Sequence, residues 1–142
     1  MRMNVLAAAL ALSCLLVSGA TAASLRVAPI KLDVASGATS TTLRVWNDDK
    51  KPISIQVRVF RWTHKGNTDT LTPTTDVVAS PPIGTLKAGG ENLVRIVRVA
   101  KTPVAGREMY RVLVDQLPDP KAHKAGVVSI LVRHAIPLYI EQ

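Results

Sequence analysis

The stretch Ile53-Ser54-Ile55-Gln56-Val57-Arg58-Val59 alternates apolar and polar residues without a break. In an extended chain successive side chains point to opposite faces, so Ile53, Ile55, Val57 and Val59 share one face and Ser54, Gln56 and Arg58 the other. That is the pattern of a half-buried strand. Phe60 and Trp62 then fall on the polar face, which predicts a twist or bulge at the strand end.

Working outward, the same period returns. Leu25 and Val27 alternate with Arg26 and Ala28, and Pro29 marks an edge strand or a switch between sheets. Thr41–Trp46 places Leu43 and Val45 on one face, and Glu108–Leu117 does the same for Tyr110, Val112 and Val114. Val77-Val78-Ala79 reads as a short strand stopped by Pro81-Pro82, and Asn92–Val99 alternates again. His64–Thr75 reads as loop or a ragged strand around Leu71. Polar, Gly- or Pro-containing turns separate these runs at Asn47–Pro52, Lys87–Gly90 and Asp119–Gly126. No segment after the N-terminal apolar run holds a helical period. About seven strands at this spacing predict an all-β fold, an antiparallel β-sandwich.

The last run is Val127–Tyr139. Read as one strand, it puts Val128, Ile130, Val132 and His134 on one face and Ser129, Leu131, Arg133 and Ala135 on the other. Its proline comes only near the end, at Pro137. A terminal strand usually guards a free edge with charge or proline. The row Val128, Ile130, Val132 is therefore either ordinary core or a row kept free for a partner.

The N-terminus carries Arg2, a nearly unbroken apolar run over Val5–Val17 and Ala20-Thr21-Ala22. This is a secretory signal peptide with an A-x-A cleavage site, too short in its apolar part to span a bilayer. Cleavage is expected after Ala22, leaving residues 23–142 as the folded domain. Cys14 is the only cysteine and leaves with the signal, so the exported domain relies on its core without a disulfide.

The formal net charge is +8, which suits solubility or an anionic partner. Aromatics are only 4% of the chain, too few for a base-stacking nucleic-acid platform. His64, His123 and His134 lie far apart, with no second ligand at metal spacing. No serine sits in a nucleophile-elbow context, and Gly89-Gly90 precedes a strand instead of a phosphate-binding helix. The residues point to no enzyme, cofactor or metal. Alone they reach an exported, basic β-sandwich that binds something.

Ser80-Pro81-Pro82-Ile83-Gly84-Thr85-Leu86-Lys87-Ala88-Gly89, followed by Leu93-Val94-Arg95-Ile96, resembles the periplasmic pilus-assembly chaperones of the chaperone–usher pathway. Glu108-Met109-Tyr110-Arg111-Val112, the closing Leu117-Pro118 and Asn47 fit the same order. Arg58–Trp62 and Ile136-Pro137-Leu138 resemble the archaic branch, which serves spore-coat-U-like pilins. The resemblance covers Ser24–Tyr139.

It implies an immunoglobulin-like N-terminal domain in the periplasm. That domain lends its last strand to an incomplete pilin subunit and works with an outer-membrane usher. Val128, Ile130 and Val132 then match the donor positions. The family holds the subunit's C-terminal carboxylate with basic residues between two domains. The first of these positions falls on Lys31. The second falls near Pro137, which cannot serve, and Arg133 is the candidate substitute. Lysine pairs with a carboxylate as a point charge, without arginine's two-pronged fork. Tyr110 is expected to be structural. The sequence ends at Gln142, where the family enters its second domain, so a fragment and a single-domain relative both fit. The rival reading is an exported sandwich used as an adhesion or structural module.

Overall fold

The computed structural model describes residues 24–122, 124–126 and 128–142. The expected signal peptide, Cys14, His123 and Val127 lie outside the described residues. The strands are β1 (Leu25–Ala28), β2 (Leu32–Val34), β3 (Ser40–Asn47), β4 (Ile53–Lys65), β5 (Thr68–Pro73), β6 (Val77–Ser80), β7 (Ile83–Leu86), β8 (Glu91–Arg98), β9 (Arg107–Leu117) and β10 (Arg133–Glu141). One sheet runs β1-β3-β8-β6; the other runs β2-β10-β9-β4-β5, with β7 also paired to β4.

The immunoglobulin-like sandwich agrees with the sequence, and the strand count does not. The expected seven become ten among the described residues. Pro29 interrupts the first run, and the chain changes sheets there: β1 pairs with β3, and β2 joins β10 in the opposite sheet. The β2–β10 pairing is parallel, so the sandwich is not wholly antiparallel. The ragged region after His64 is a true hairpin of β4 and β5.

The periodicity of β4 holds. Ile53, Ile55 and Val57 are buried and lie on the same inner face of the sheet as Tyr110, Val112 and Val114 of the neighbouring β9, within one core. The expected bulge is absent, because β4 and β9 keep one register from Ser54↔Leu117 to Arg61↔Tyr110. Phe60 and Trp62 instead sit on the outer face of the sheet. Arg58 covers Phe60 at 5.5 Å and Arg111 covers Trp62 at 4.0 Å from the ring centroid. Cation–π contact and the arginine stems shield the rings without turning them inward.

Two polar ties hold the turns. Asn47 is fully buried at the end of β3. Its Nδ2 donates to the carbonyls of Lys51 at 2.7 Å, Leu86 at 3.2 Å and Lys87 at 3.0 Å, and its Oδ1 accepts from Asp49 N at 2.9 Å. One amide thus fastens the β3–β4 turn to the end of β7. At the other end of the sandwich, Arg98 grips the Glu108 carboxylate with two bonds of 3.0 Å. The Tyr110 hydroxyl donates to Glu108 at 2.9 Å and accepts from Arg61 at 2.9 Å, while Arg61 also reaches Asp76 at 2.7 Å. Tyr110 is therefore structural, as expected, although it bonds a side chain.

These ties have measurable consequences. Asn47→Ala removes the partner of several buried backbone groups and should cost about 2 kcal/mol or more in urea unfolding. Asn47→Asp sets a buried carboxylate against carbonyl oxygens, which raises its folded pKa. That variant should regain stability as pH falls, as no wild-type residue there could. Burial, then the bond to Glu108, pushes the Tyr110 hydroxyl up to about 12 from 10. A folded pKa above the unfolded one gives stability that is complete below pH 10 and lost as pH rises through 12. Alkaline titration of wild type should show that loss, and Tyr110→Phe should flatten it.

Candidate functional site

The strand expected over Val127–Tyr139 is instead β10, Arg133–Glu141, preceded by an arm outside any strand. Its inward row is His134, Ile136, Leu138 and Ile140. The last three are buried core, and His134 Nε2 donates to the Leu25 carbonyl in the opposite sheet at 2.8 Å. Val132 still packs against the core, and its carbonyl accepts from Gln116 N at 2.9 Å. That is the last ladder bond. Beyond it Val128 is 87% exposed and Ile130 82%.

The ladder stops for a reason written in β9. The β9–β10 register pairs Arg133 with Asp115. Continued outward, it would set Ile130 against Pro118 and Val128 against Pro120. Proline has no N–H to donate, so each of these positions loses the ladder bond that would hold the arm's carbonyl opposite it. The arm is left with apolar side chains in phase with the core row and no strand to pair with.

β10 is also half-open. β9 covers its whole length on one side. On the other, β2 covers only Leu138–Ile140. Among the described residues, Arg133–Pro137 therefore has a free backbone edge, and the arm leads straight into it.

The sequence-predicted basic pair is not brought together. Lys31 precedes Leu32, which pairs with Leu138. Continued back one step, that parallel register sets Lys31 beside Pro137, and Arg133 lies four residues earlier on the strand, about 13 Å along it at ~3.3 Å per residue. Their charged ends turn to different partners. Lys31 is exposed, with Nζ 3.1 Å from Asp33 and 5.3 Å from the Tyr139 ring centroid. Arg133 pairs with Asp115, which Arg58 also holds at 2.7 Å. Burial would raise the Asp115 pKa, but the bonds from Arg133 and Arg58 outweigh it and keep the carboxylate below its ordinary range.

A basic residue that sequence reasoning missed lies beside Lys31. Arg107 opens β9 opposite Glu141, with its guanidinium 4.0 Å from the Tyr139 ring centroid and its Nε 3.5 Å from the Glu141 carboxylate. Lys31 and Arg107 thus both contact the Tyr139 ring. The available signal was register: an arginine at the start of the penultimate strand must sit beside the end of the last one.

No group of His, Cys, Asp and Glu suited to a metal ion occurs among the described residues, and no helix there is long and apolar enough to cross a membrane.

Residues 24–141 match the family model described as the pili and flagellar-assembly chaperone, PapD N-terminal domain. The chain belongs to this family. The family is one of assembly chaperones and not of enzymes. A comparison with curated proteins finds no match. Among solved structures, the chain is similar to the CsuC–CsuE chaperone–tip adhesion subunit pre-assembly complex from archaic Csu pili of Acinetobacter baumannii. The identity is 28% with a TM-score of 0.71, over 84% of this chain and 52% of that one. It shares the fold of the Salmonella enterica SafA pilin–SafB chaperone complex at 21% identity and TM-score 0.67, over 86% of this chain and 56% of that one. The E. coli chaperone DraB aligns at 24% identity and TM-score 0.62, over 83% and 54%. The chain spans about half the length of these structures.

Exposure fixes what substitutions should do to the isolated domain. Ile130→Asp should change its stability by no more than about 0.5 kcal/mol, as surface changes do. Ile136→Asp, three strand positions into β10, should leave it unfolded, because a charge would enter the core unpaired. Urea unfolding of the two variants separates arm from core.

Proposed function

We propose that this chain is the pilin-binding domain of a periplasmic assembly chaperone, and that it caps subunits by lending them its arm and the free edge of β10. The observation that carries the reading is the exposed row Val128 and Ile130, in phase with the core row and next to an unpaired backbone edge. A subunit lacking one strand offers the complement: main-chain groups to pair with the edge and a groove for alternate side chains. Burying Val128, Ile130 and the exposed part of Val132 would return roughly 1.5–3 kcal/mol for each side chain fully covered. Left open, the same row is an aggregation hazard. Delivery to an outer-membrane usher and export through the cleaved signal at residues 1–22 complete the proposed role.

For the subunit's terminal carboxylate, the reading favours Lys31 with Arg107 at the Tyr139 ring. Both cations stand at the end of β10 where the chain would leave for a further domain. Arg133, already committed to Asp115, stands at the other end.

The test is co-export with a strand-deficient pilin subunit from the same genome. Wild type should co-purify with it, and Ile130→Asp should not, while remaining folded. Retained capture by that variant would sink the donor reading. Lys31→Ala and Arg107→Ala should each weaken capture of a subunit with its native C-terminus by about tenfold, the scale of one charge-assisted hydrogen bond. Neither should matter for a subunit extended at its C-terminus. If Arg133→Ala weakens capture and Arg107→Ala does not, the anchor belongs at the other end of the strand.

A further inference from the structure

The end of the sandwich that carries the arm is unusually cationic. Asn47 draws the turn at Asp48–Lys51 against that at Lys87–Gly90, and Gly89 N adds a bond to the Asp49 carbonyl at 3.3 Å. Lys50, Lys51 and Lys87 therefore leave from two turns held side by side, and all three are exposed. Lys51 and Pro52 line one wall of a hollow of about 630 Å3, and Pro120, Ile130 and Leu131 line the other. Lys121 and Lys124, also exposed, lie on the loop that leads into the arm.

None of these five lysines pairs with a carboxylate among the described residues. The nearby acids are engaged. Asp48 is held by Arg26 through two bonds, at 2.8 and 3.0 Å. Asp49 and Asp119 accept the backbone N–H groups of Lys50 and Lys121. Glu91, directly after the second turn, accepts from Trp46 Nε1, and setting it with these two aspartates against the five lysines leaves a surplus of two positive charges around the most exposed apolar residues of the domain.

We propose that this lysine collar selects what the arm may pair with: it admits a subunit whose groove has an acidic rim and turns away a second copy of this chain. The proposal rests on the donor reading above. Two copies meeting arm to arm would bring two cationic collars together, and like charges at an interface suppress that pairing. Lysine beside an exposed edge is a common guard against self-association. The same field speeds encounter with an anionic rim, by tenfold or more at low salt.

The test uses the triple variant Lys50→Gln, Lys87→Gln, Lys121→Gln, which keeps every backbone carbonyl that Asn47 needs. By sedimentation velocity, wild type should be monomeric at low salt and self-associate at high salt. The triple variant should self-associate at least tenfold more tightly at low salt, with the difference vanishing at high salt. Adding Ile130→Asp should abolish self-association in both. Equal behaviour of wild type and triple variant at low salt, or association that survives Ile130→Asp, overturns the proposal.

With the subunit captured in the test above, the association rate of wild type should fall about tenfold from low to high salt. That of the triple variant should stay level. A level rate in wild type overturns the acidic rim. So does a salt-independent subunit rate combined with collar-dependent binding to vesicles of phosphatidylcholine with one-third phosphatidylglycerol, which would assign the lysines to a lipid surface. If no subunit is captured, the donor reading fails, and the sedimentation result still decides the collar.

Discussion

The structure turns on two residues that cannot donate a hydrogen bond. Pro118 and Pro120 stand where β9 would have to continue in order to hold the chain before Arg133. Because they cannot, the β9–β10 ladder ends at Val132. Everything proposed about the arm follows from that stop. The residues past it keep the alternation of a core strand and lose the sheet that would bury them. β2 adds the second half of the constraint by covering only the far end of β10. One strand thus serves the domain's own core with Ile136, Leu138 and Ile140, and offers its other part outward.

That division needs a rigid frame. The frame is an aliphatic core between two sheets, closed at its two ends by polar ties. At one end Asn47 fastens two turns with a single buried amide. At the other, Arg98, Glu108, Tyr110 and Arg61 link β8, β9 and β4. The Arg98 bonds hold the Glu108 carboxylate below its ordinary range, so the network stays charged at neutral pH. His134 then pins the start of β10 to β1 across the sandwich. The strand that bears the arm is thus tied into the frame on both sides of the sandwich.

Much of this was legible in the sequence. The alternation at Ile53–Val59 gave the core face of β4, and Tyr110, Val112 and Val114 gave that of β9. Pro29 marked an edge strand or a sheet switch, and the structure shows the switch. What the sequence hid was pairing. Val127–Tyr139 has one unbroken period, and nothing within it says that the neighbouring strand runs out at Pro118. The aromatic pair Phe60 and Trp62 suggested a bulge because apolar residues were expected inward; arginines from Arg58 and Arg111 cover them on the outside instead. Arg107 escaped notice for a similar reason. Its closeness to Lys31 depends on strand order across β2, β10 and β9, which spacing along the chain does not encode.

The central claim is that the unpaired arm Val128–Leu131, with the free edge of Arg133–Pro137, becomes a paired strand in a subunit's groove. Amide hydrogen exchange of the chain, free and bound to a strand-deficient subunit, tests it most directly. The account predicts fast exchange for the amides of Val128–Leu131 in the free chain and strong protection in the complex, with Ile136, Leu138 and Ile140 protected in both. Protection of the arm already in the free chain, or no gain on binding, would contradict it.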